Sequence, residues 1–155
     1  MCRMTTLHDR MPSARFTHST HADTTLAVAW EAMQRPETWA SLAGVEEITD
    51  PEFGLEGCLS AYAFTARVAG QIYPGRASTV VSDPPDQMAV RIATSELDGT
   101  LNTRLLDASN GITVEVTLEL TSKSLLASMF FPVLSTAVGN GLPGQVVAFA
   151  AQLTE

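Results

Sequence analysis

The stretch of sequence that decides the fold is residues 112–121, which read ITVEVTLELT. Apolar and polar side chains alternate along it, and this is the period of a β-strand with one buried face and one solvated face. The apolar positions are Ile112, Val114, Val116, Leu118 and Leu120. A sheet with one apolar face must pack that face against another layer, so the strand predicts both a sheet and an element that covers it.

Turn signals divide the residues that precede this strand. Asp-Gly and Asn-Gly pairs are typical of two-residue hairpin loops, and Gly and Pro mark other reversals. The four signals are Ala69-Gly70, Asp83-Pro84-Pro85-Asp86, Asp98-Gly99 and Asn110-Gly111. Residues 58–68 and 88–92, which lie between them, also alternate in polarity. The pattern predicts a long antiparallel meander.

The C-terminal segment is the candidate cover for this sheet, and it has no charged residue from Ser124 to Thr154. Apolar residues recur at helical spacing in residues 125–138 and again in residues 146–153. Glycines at 139, 141 and 144 and a proline at 143 separate the two runs. Because Gly is costly in a helix and Pro removes a hydrogen bond, we expect a bent or two-piece helix.

The N-terminal part predicts a tail, a strand and two short helices. Residues 1–14 have neither a strand period nor a helix period, which indicates a flexible tail, and residues 15–22 favour a strand. Asp23 is a suitable N-cap for a helix that runs to about residue 34 with apolar residues on one face. Pro36 suits the start of a second short helix, which Gly44 would end.

Charge and cysteine content exclude several functional classes. The formal net charge is −8 and the nine basic residues form no cluster, so nucleic acid is not an expected partner. Cys2 and Cys58 alone predict no disulfide framework, which fits a reducing cytoplasm. The first fifteen residues lack the apolar run of a signal peptide, so we do not expect secretion.

The sequence also lacks the patterns of common catalytic and cofactor sites. His18 and His21 would point to opposite faces of a strand without other ligands nearby, so they predict no metal site. No serine lies in a nucleophile elbow. The Gly-rich residues 139–144 have no Lys-Ser/Thr after them and do not form a phosphate loop. No cofactor is therefore expected.

The predicted order of elements resembles the helix-grip superfamily, which includes START lipid-transfer domains, Bet v 1 plant allergens and bacterial polyketide cyclase/dehydrase-like proteins. Residues 28–30, Val-Ala-Trp, and 36–39, Pro-Glu-Thr-Trp, followed by Gly44-Val45, are similar to the helix pattern of the bacterial members. The family has adjacent Val and Trp, whereas Ala29 separates them here. The resemblance implies an α+β fold in which six to seven curved antiparallel strands grip a long kinked C-terminal helix, in one domain from residue 15 to 155.

Within that superfamily, the chain is most similar to the carbon-monoxide dehydrogenase G-like proteins. Residues 64–70, Gly75, the Asp83-Pro84 turn and Gly99 occupy comparable places. For some relatives, this resemblance implies delivery of a ligand to a membrane enzyme. These motifs specify a fold more than a function.

A helix-grip fold implies a cavity for a small hydrophobic ligand such as a lipid, isoprenoid, quinone or polyketide. The alternatives are a polyketide cyclase/dehydratase-type enzyme that uses polar cavity groups, and a protein-interaction module with a packed cavity. Arg76 and Arg104 are included among the candidates because their strands alternate poorly and an inward guanidinium could bind a ligand oxygen. The candidate cavity residues are Trp30, Trp39, Tyr62, Phe64, Tyr73, Arg76, Met88, Arg104, Met129, Phe130 and Val133.

The uncharged C-terminal segment also raises the question of membrane contact. Pro132, Pro143 and several glycines make a spanning helix unfavourable, and the sheet needs this segment as cover. We therefore expect a helix that packs on the sheet, with transient membrane contact as an additional possibility.

Overall fold

A computed structural model of the protein describes residues 12–42, 45–54, 57–68 and 70–154. The strands are β1 (Ser13–Ala22), β2 (Val45–Phe53), β3 (Leu59–Val68), β4 (Gln71–Asp83), β5 (Gln87–Thr94), β6 (Leu97–Ala108) and β7 (Gly111–Ser122). The helices are α1 (Leu26–Met33), a 3₁₀ helix (Pro36–Ser41) and α2 (Leu125–Gln152). The predicted tail lies largely outside the described residues, and β1 begins two residues earlier than expected.

All seven strands form one antiparallel sheet in the order β1-β7-β6-β5-β4-β3-β2. Strands β2 to β7 form the predicted meander, and β1 pairs with β7 so that Phe16 faces Leu118 across the ladder. The sheet is curved and α2 follows it, which confirms the α+β helix-grip fold. In β7 the five alternating apolar side chains are buried, as the period predicts.

The turn predicted at Asp98-Gly99 is wrong, because both residues lie inside β6. The chain reverses at residues 95–96, where the Thr94 hydroxyl accepts hydrogen bonds from the backbone N–H groups of Glu96 (3.2 Å) and Leu97 (2.9 Å). A Thr hydroxyl can form such a local turn without glycine. Gly99 instead allows close packing, since a Cβ there would lie 2.7 Å from the Glu119 carbonyl oxygen.

The two short helices are fastened to each other by side-chain hydrogen bonds. The N-cap of α1 is Thr25 and not Asp23, because the Thr25 hydroxyl accepts from the Val28 N–H at 3.2 Å. The second helix is a 3₁₀ helix, and Gly44, its predicted end, lies outside the described residues. Trp39 Nε1 donates to the Met33 carbonyl oxygen at 2.9 Å, which holds the buried Trp39 ring beneath the helix pair.

Helix α2 runs without a break from Leu125 to Gln152, with Pro132 and Pro143 inside it. The two-piece alternative is therefore wrong, although each proline removes one backbone hydrogen bond and favours a bend. Gly139 has a packing role: a Cβ at this position would lie 2.7 Å from Cε1 of Phe16. The glycine lets α2 approach β1 closely. Near the C-terminal end, the Phe149 ring packs on Trp39 at a centroid distance of 5.0 Å.

Candidate functional site

An inner cavity of about 60 Å³ lies between the sheet and α2. Strand β3 contributes alternate residues to it, because every second side chain of a strand points to the same face. Leu118 and Leu120 of the strongly alternating β7 form another part of the wall. The lining residues are Trp39, Leu42, Val45, Tyr62, Phe64, Ala66, Val68, Tyr73, Ile92, Thr94, Leu97, Leu101, Leu118, Leu120, Leu134 and Val138.

The polar groups in this lining differ in whether they have a hydrogen-bond partner within the protein. The Trp39 N–H donates to Met33, and the Thr94 hydroxyl takes part in the β5–β6 turn. The hydroxyls of Tyr62 and Tyr73 make no hydrogen bond within the part of the chain that the structure describes. They are the groups in the wall that remain available to a ligand.

Burial changes the acidity of both phenols. Tyr62 is only 5% exposed, and desolvation raises its pKa well above the ordinary value. Desolvation also raises the pKa of Tyr73, and the negative charge of Glu96 raises it further. Both side chains are therefore neutral at physiological pH and can donate a hydrogen bond.

A larger outer groove of about 450 Å³ lies next to the inner cavity. It is formed by the start of β4, the β5–β6 turn and the N-terminal half of α2. Its lining consists of Gln71, Ile72, Tyr73, Pro74, Ser95, Glu96, Leu97, Ala127, Phe130, Val133 and Leu134. Tyr73, Leu97 and Leu134 also line the inner cavity, so these three side chains form a wall that the two spaces share.

The rim of the outer groove is apolar and exposed. Ile72, Phe130 and Val133 line the groove and are each more than half exposed, and the neighbouring Met129 is 73% exposed. Monomeric proteins seldom leave large apolar side chains clustered in water unless the surface binds something. No helix among the described residues is long and apolar enough to span a membrane.

The structure brings some of the predicted cavity residues together and separates others. Trp39, Tyr62, Phe64 and Tyr73 line the inner cavity, and Tyr73, Phe130 and Val133 line the outer groove. Trp30 and Met88 are buried but line neither space, and Met129 lies on the surface.

Neither candidate arginine points inward. Arg76 lies on the outer face of β4 and pairs with Glu52 of β2, and both side chains are about half exposed. Arg104 is also exposed, because Thr103 and Leu105 on either side of it are the buried positions of β6. An inward guanidinium is therefore wrong for both.

Several site residues were not among the sequence candidates. Leu97 and Leu134 separate the two spaces, and Glu96 is the acidic residue of the outer groove. Because the turn was predicted at Asp98-Gly99 and not at residues 95–96, Glu96 and Leu97 were not recognised as site residues. Helical spacing placed Leu134 on an apolar face but could not distinguish a cavity wall from packed core. Among the described residues, no group of His, Cys, Asp or Glu could hold a metal ion.

Comparison with known proteins finds similarity in structure but not in sequence. No protein-family model matches the chain, and no curated protein matches it. The two-domain ARO/CYC protein BexL from the BE-7585A biosynthetic pathway is similar over 92% of this chain, with a TM-score of 0.64 and 14% identity. The chain spans about half the length of BexL, since it covers 50% of that protein.

Two other structures are similar over nearly their whole length. The Zhui aromatase/cyclase from Streptomyces sp. R1128 has a TM-score of 0.64 at 13% identity, and 88% of this chain covers 94% of it. A START superfamily protein from Mycobacterium smegmatis has a TM-score of 0.57 at 8% identity, with 83% and 96% covered. The chain shares the helix-grip fold of these proteins. The comparisons do not confirm the nearer resemblance to the carbon-monoxide dehydrogenase G-like proteins.

Proposed function

We propose that this helix-grip domain binds a small hydrophobic molecule that lies in the outer groove and extends into the inner cavity. The observation that carries the proposal is that the two spaces adjoin, with Tyr73, Leu97 and Leu134 in the lining of both. A molecule in both spaces would cover the apolar rim of the groove and remove it from water, which is favourable.

The volumes limit the size and shape of this molecule. One water molecule needs about 10–15 Å³ of cavity volume. The inner cavity of about 60 Å³ therefore has room for roughly four waters, which is on the order of one small ring. The outer groove of about 450 Å³ is within the usual range for ligand pockets. A molecule with one ring or a narrow end inside and a larger part outside fits both.

The chemistry of the lining favours binding over catalysis. Among the described residues of the inner cavity, none carries a carboxylate, an imidazole or an amine. General acid–base catalysis needs a group that gains or loses a proton near the working pH, and two high-pKa phenols are poor at this. These features support a carrier or sensor.

Titration with the neutral dye N-phenyl-1-naphthylamine tests this proposal, because the dye fluoresces when it enters an apolar site. Leu134→Phe would place a larger side chain in the wall that the two spaces share, and we expect it to weaken binding at least about tenfold. Val147→Phe is the matched control, since Val147 is exposed on the same helix and lines neither space. Equal affinity in both variants and in the wild type would contradict the proposal.

The melting temperature of each variant shows whether it is folded. If Leu134→Phe does not fold, Leu97→Met alters the same shared wall with little change in side-chain volume. Native mass spectrometry of the gently purified protein, followed by organic extraction, would identify a molecule that stays bound. A stoichiometric lipid, quinone or isoprenoid would define the ligand class.

A polyketide cyclase-type activity is the second candidate, and the pairing of Tyr73 with Glu96 in the outer groove favours it. The Glu96 charge acts on the Tyr73 phenol, so a neutral donor and a carboxylate face the same space. Together they could polarise a ketone and remove a proton beside it. A short poly-β-ketone thioester should then cyclise faster with the protein than in buffer, and Glu96→Gln should lose about 100-fold or more in rate. No acceleration over buffer would exclude this activity for that substrate.

A further inference from the structure

Tyr62 lines the inner cavity but not the outer groove. It is on β3, and its side chain shares the cavity face with Phe64 and Ala66. Tyr73 is the cross-strand partner of Ala66, and it lines both the inner cavity and the outer groove. At ~3.3 Å per residue, the four residues from Tyr62 to Ala66 span about 13 Å. Tyr62 therefore belongs to the inner part of the site alone, whereas Tyr73 is shared with the outer groove.

The hydroxyl of Tyr62 has no hydrogen-bond partner among the described residues, although only 5% of this residue is exposed. Among the described residues, Thr103 Oγ1 is the one unpaired side-chain polar atom that is completely inaccessible to solvent. The Tyr62 hydroxyl is also unpaired but does not belong to this class. The Tyr62 hydroxyl therefore borders open volume, and the volume that its ring lines is the inner cavity. A buried hydroxyl without a partner is unfavourable, so this one needs a partner from the cavity.

The proton on this hydroxyl determines what kind of partner fits. Burial raises the pKa of Tyr62, so the phenol keeps its proton and donates a hydrogen bond. The other polar side chains at this wall, Trp39 and Thr94, already bond to the protein backbone. Of the two unpaired phenols in the inner cavity, Tyr73 also lines the outer groove, so Tyr62 is the donor that belongs to the inner cavity alone.

We propose that Tyr62 determines ligand specificity by donating a hydrogen bond to a carbonyl or ether oxygen at the buried end of the ligand. The ligand class is then an apolar molecule with an oxygen acceptor on its inner ring or narrow end. This inference rests on the proposed function, since it concerns the same site.

Two ligands that differ only at the acceptor test the inference. In 2-acetylnaphthalene the ring carries a ketone, and in 2-isopropenylnaphthalene a CH₂ group replaces the oxygen. Their dissociation constants are measured by displacement of N-phenyl-1-naphthylamine from the wild type, Tyr62→Phe and Tyr73→Phe. In Tyr62→Phe the preference for the ketone over the hydrocarbon should fall about 3- to 10-fold, which is the usual effect of one neutral hydrogen bond. Val147→Phe, at an exposed residue that lines neither space, is measured in the same way as the control and should keep the wild-type preference.

The outcomes separate the two proposals. If neither naphthalene displaces the dye and the dye itself does not bind, the proposed function fails. If both bind but the ratio of their dissociation constants is the same in wild type and Tyr62→Phe, hydrophobic binding stands and the role of Tyr62 is overturned. A change of that ratio in Tyr73→Phe alone would move the donor to the mouth of the site and also overturn the inference. Melting temperatures verify that each variant is folded.

Discussion

The two halves of α2 have the same uncharged, apolar character, but the N-terminal half exposes more of its large apolar side chains. In the C-terminal half, Val146 and Phe149 are completely buried, and so is Leu153, the C-cap residue that follows the helix. In the N-terminal half, Met129 and Phe130 are 73% and 59% exposed. The C-terminal half packs on Trp39, whereas the N-terminal half borders the outer groove.

This difference shows that an apolar helix can serve stability at one end and binding at the other. Burial of apolar surface stabilises the fold only where the sheet and the 3₁₀ helix remove it from water. Where no other element covers the helix, the same residue types leave an apolar surface that a ligand can cover. The following predictions test this division.

The largest expected effect comes from removing the Phe149 ring. Phe149→Ala should lower the free energy of unfolding by about 3–5 kcal/mol, because it leaves a cavity and removes the contact with Trp39. Phe130→Ala is the matched change in the exposed half and should stay within about 0.5 kcal/mol of the wild type. Urea unfolding measures both. Similar losses in the two variants would contradict a functional division of the helix.

Alkaline pH should reveal the buried phenol at the inner end of the site. The ordinary Tyr pKa is 10.0, and burial raises that of Tyr62 in the folded protein. Above pH 10 the unfolded chain loses this proton while the folded chain keeps it, so stability falls as pH rises, by at most about 1.4 kcal/mol per pH unit. Below pH 10 both states are protonated and the dependence disappears.

Tyr62→Phe should remove this alkaline loss, and thermal unfolding between pH 8 and 11 measures it. Tyr73→Phe is the control. Because Tyr73 is less buried than Tyr62, this variant should remove a smaller part of the loss of stability at alkaline pH. Parallel stability curves for the wild type and Tyr62→Phe would mean that the Tyr62 phenol is solvated.

The smallest effect is expected at the rim of the outer groove, where a substitution should change the affinity for the dye but not the free energy of unfolding. Phe130 lines the outer groove and Met129, its neighbour in sequence, does not. Phe130→Ala should weaken N-phenyl-1-naphthylamine binding about 3- to 10-fold, or roughly 0.7–1.4 kcal/mol. Met129→Ala should leave the affinity unchanged, although Met129 is the more exposed of the two. Equal losses would indicate non-specific binding to the exposed patch.

Much of the fold could be predicted from local pattern, and the errors have identifiable causes. The alternation of β7 and the Asn110-Gly111 turn were predicted correctly, because both depend on local backbone preferences. The Asp98-Gly99 turn was wrong because Thr94 forms the reversal three residues earlier. Gly139 interrupts no helix, since its role is contact with Phe16, which is 123 positions away in sequence.

The candidate site was predictable only where alternation was clear. Tyr62 and Phe64 lie on a strand with a recognisable apolar face, and both line the inner cavity. Arg76 lies on a strand without clear alternation, and only the pairing of β4 with its neighbours places it outside, beside Glu52. A shift of one residue reverses the face of every side chain in a strand, so an unclear period leaves the orientation undetermined.

The sequence by itself determined the order of strands and helices, the apolar face of β7 and the need for the C-terminal helix as its cover. These features follow from periods of two and 3.6 residues and from turn residues, which act over a few neighbours. Only the tertiary structure decided which apolar side chains pack and which line a space, because that depends on how closely α2 approaches a curved sheet. That the Tyr62 hydroxyl is unpaired among the described residues is likewise a tertiary property, since hydrogen-bond partners come from strands and helices distant in sequence.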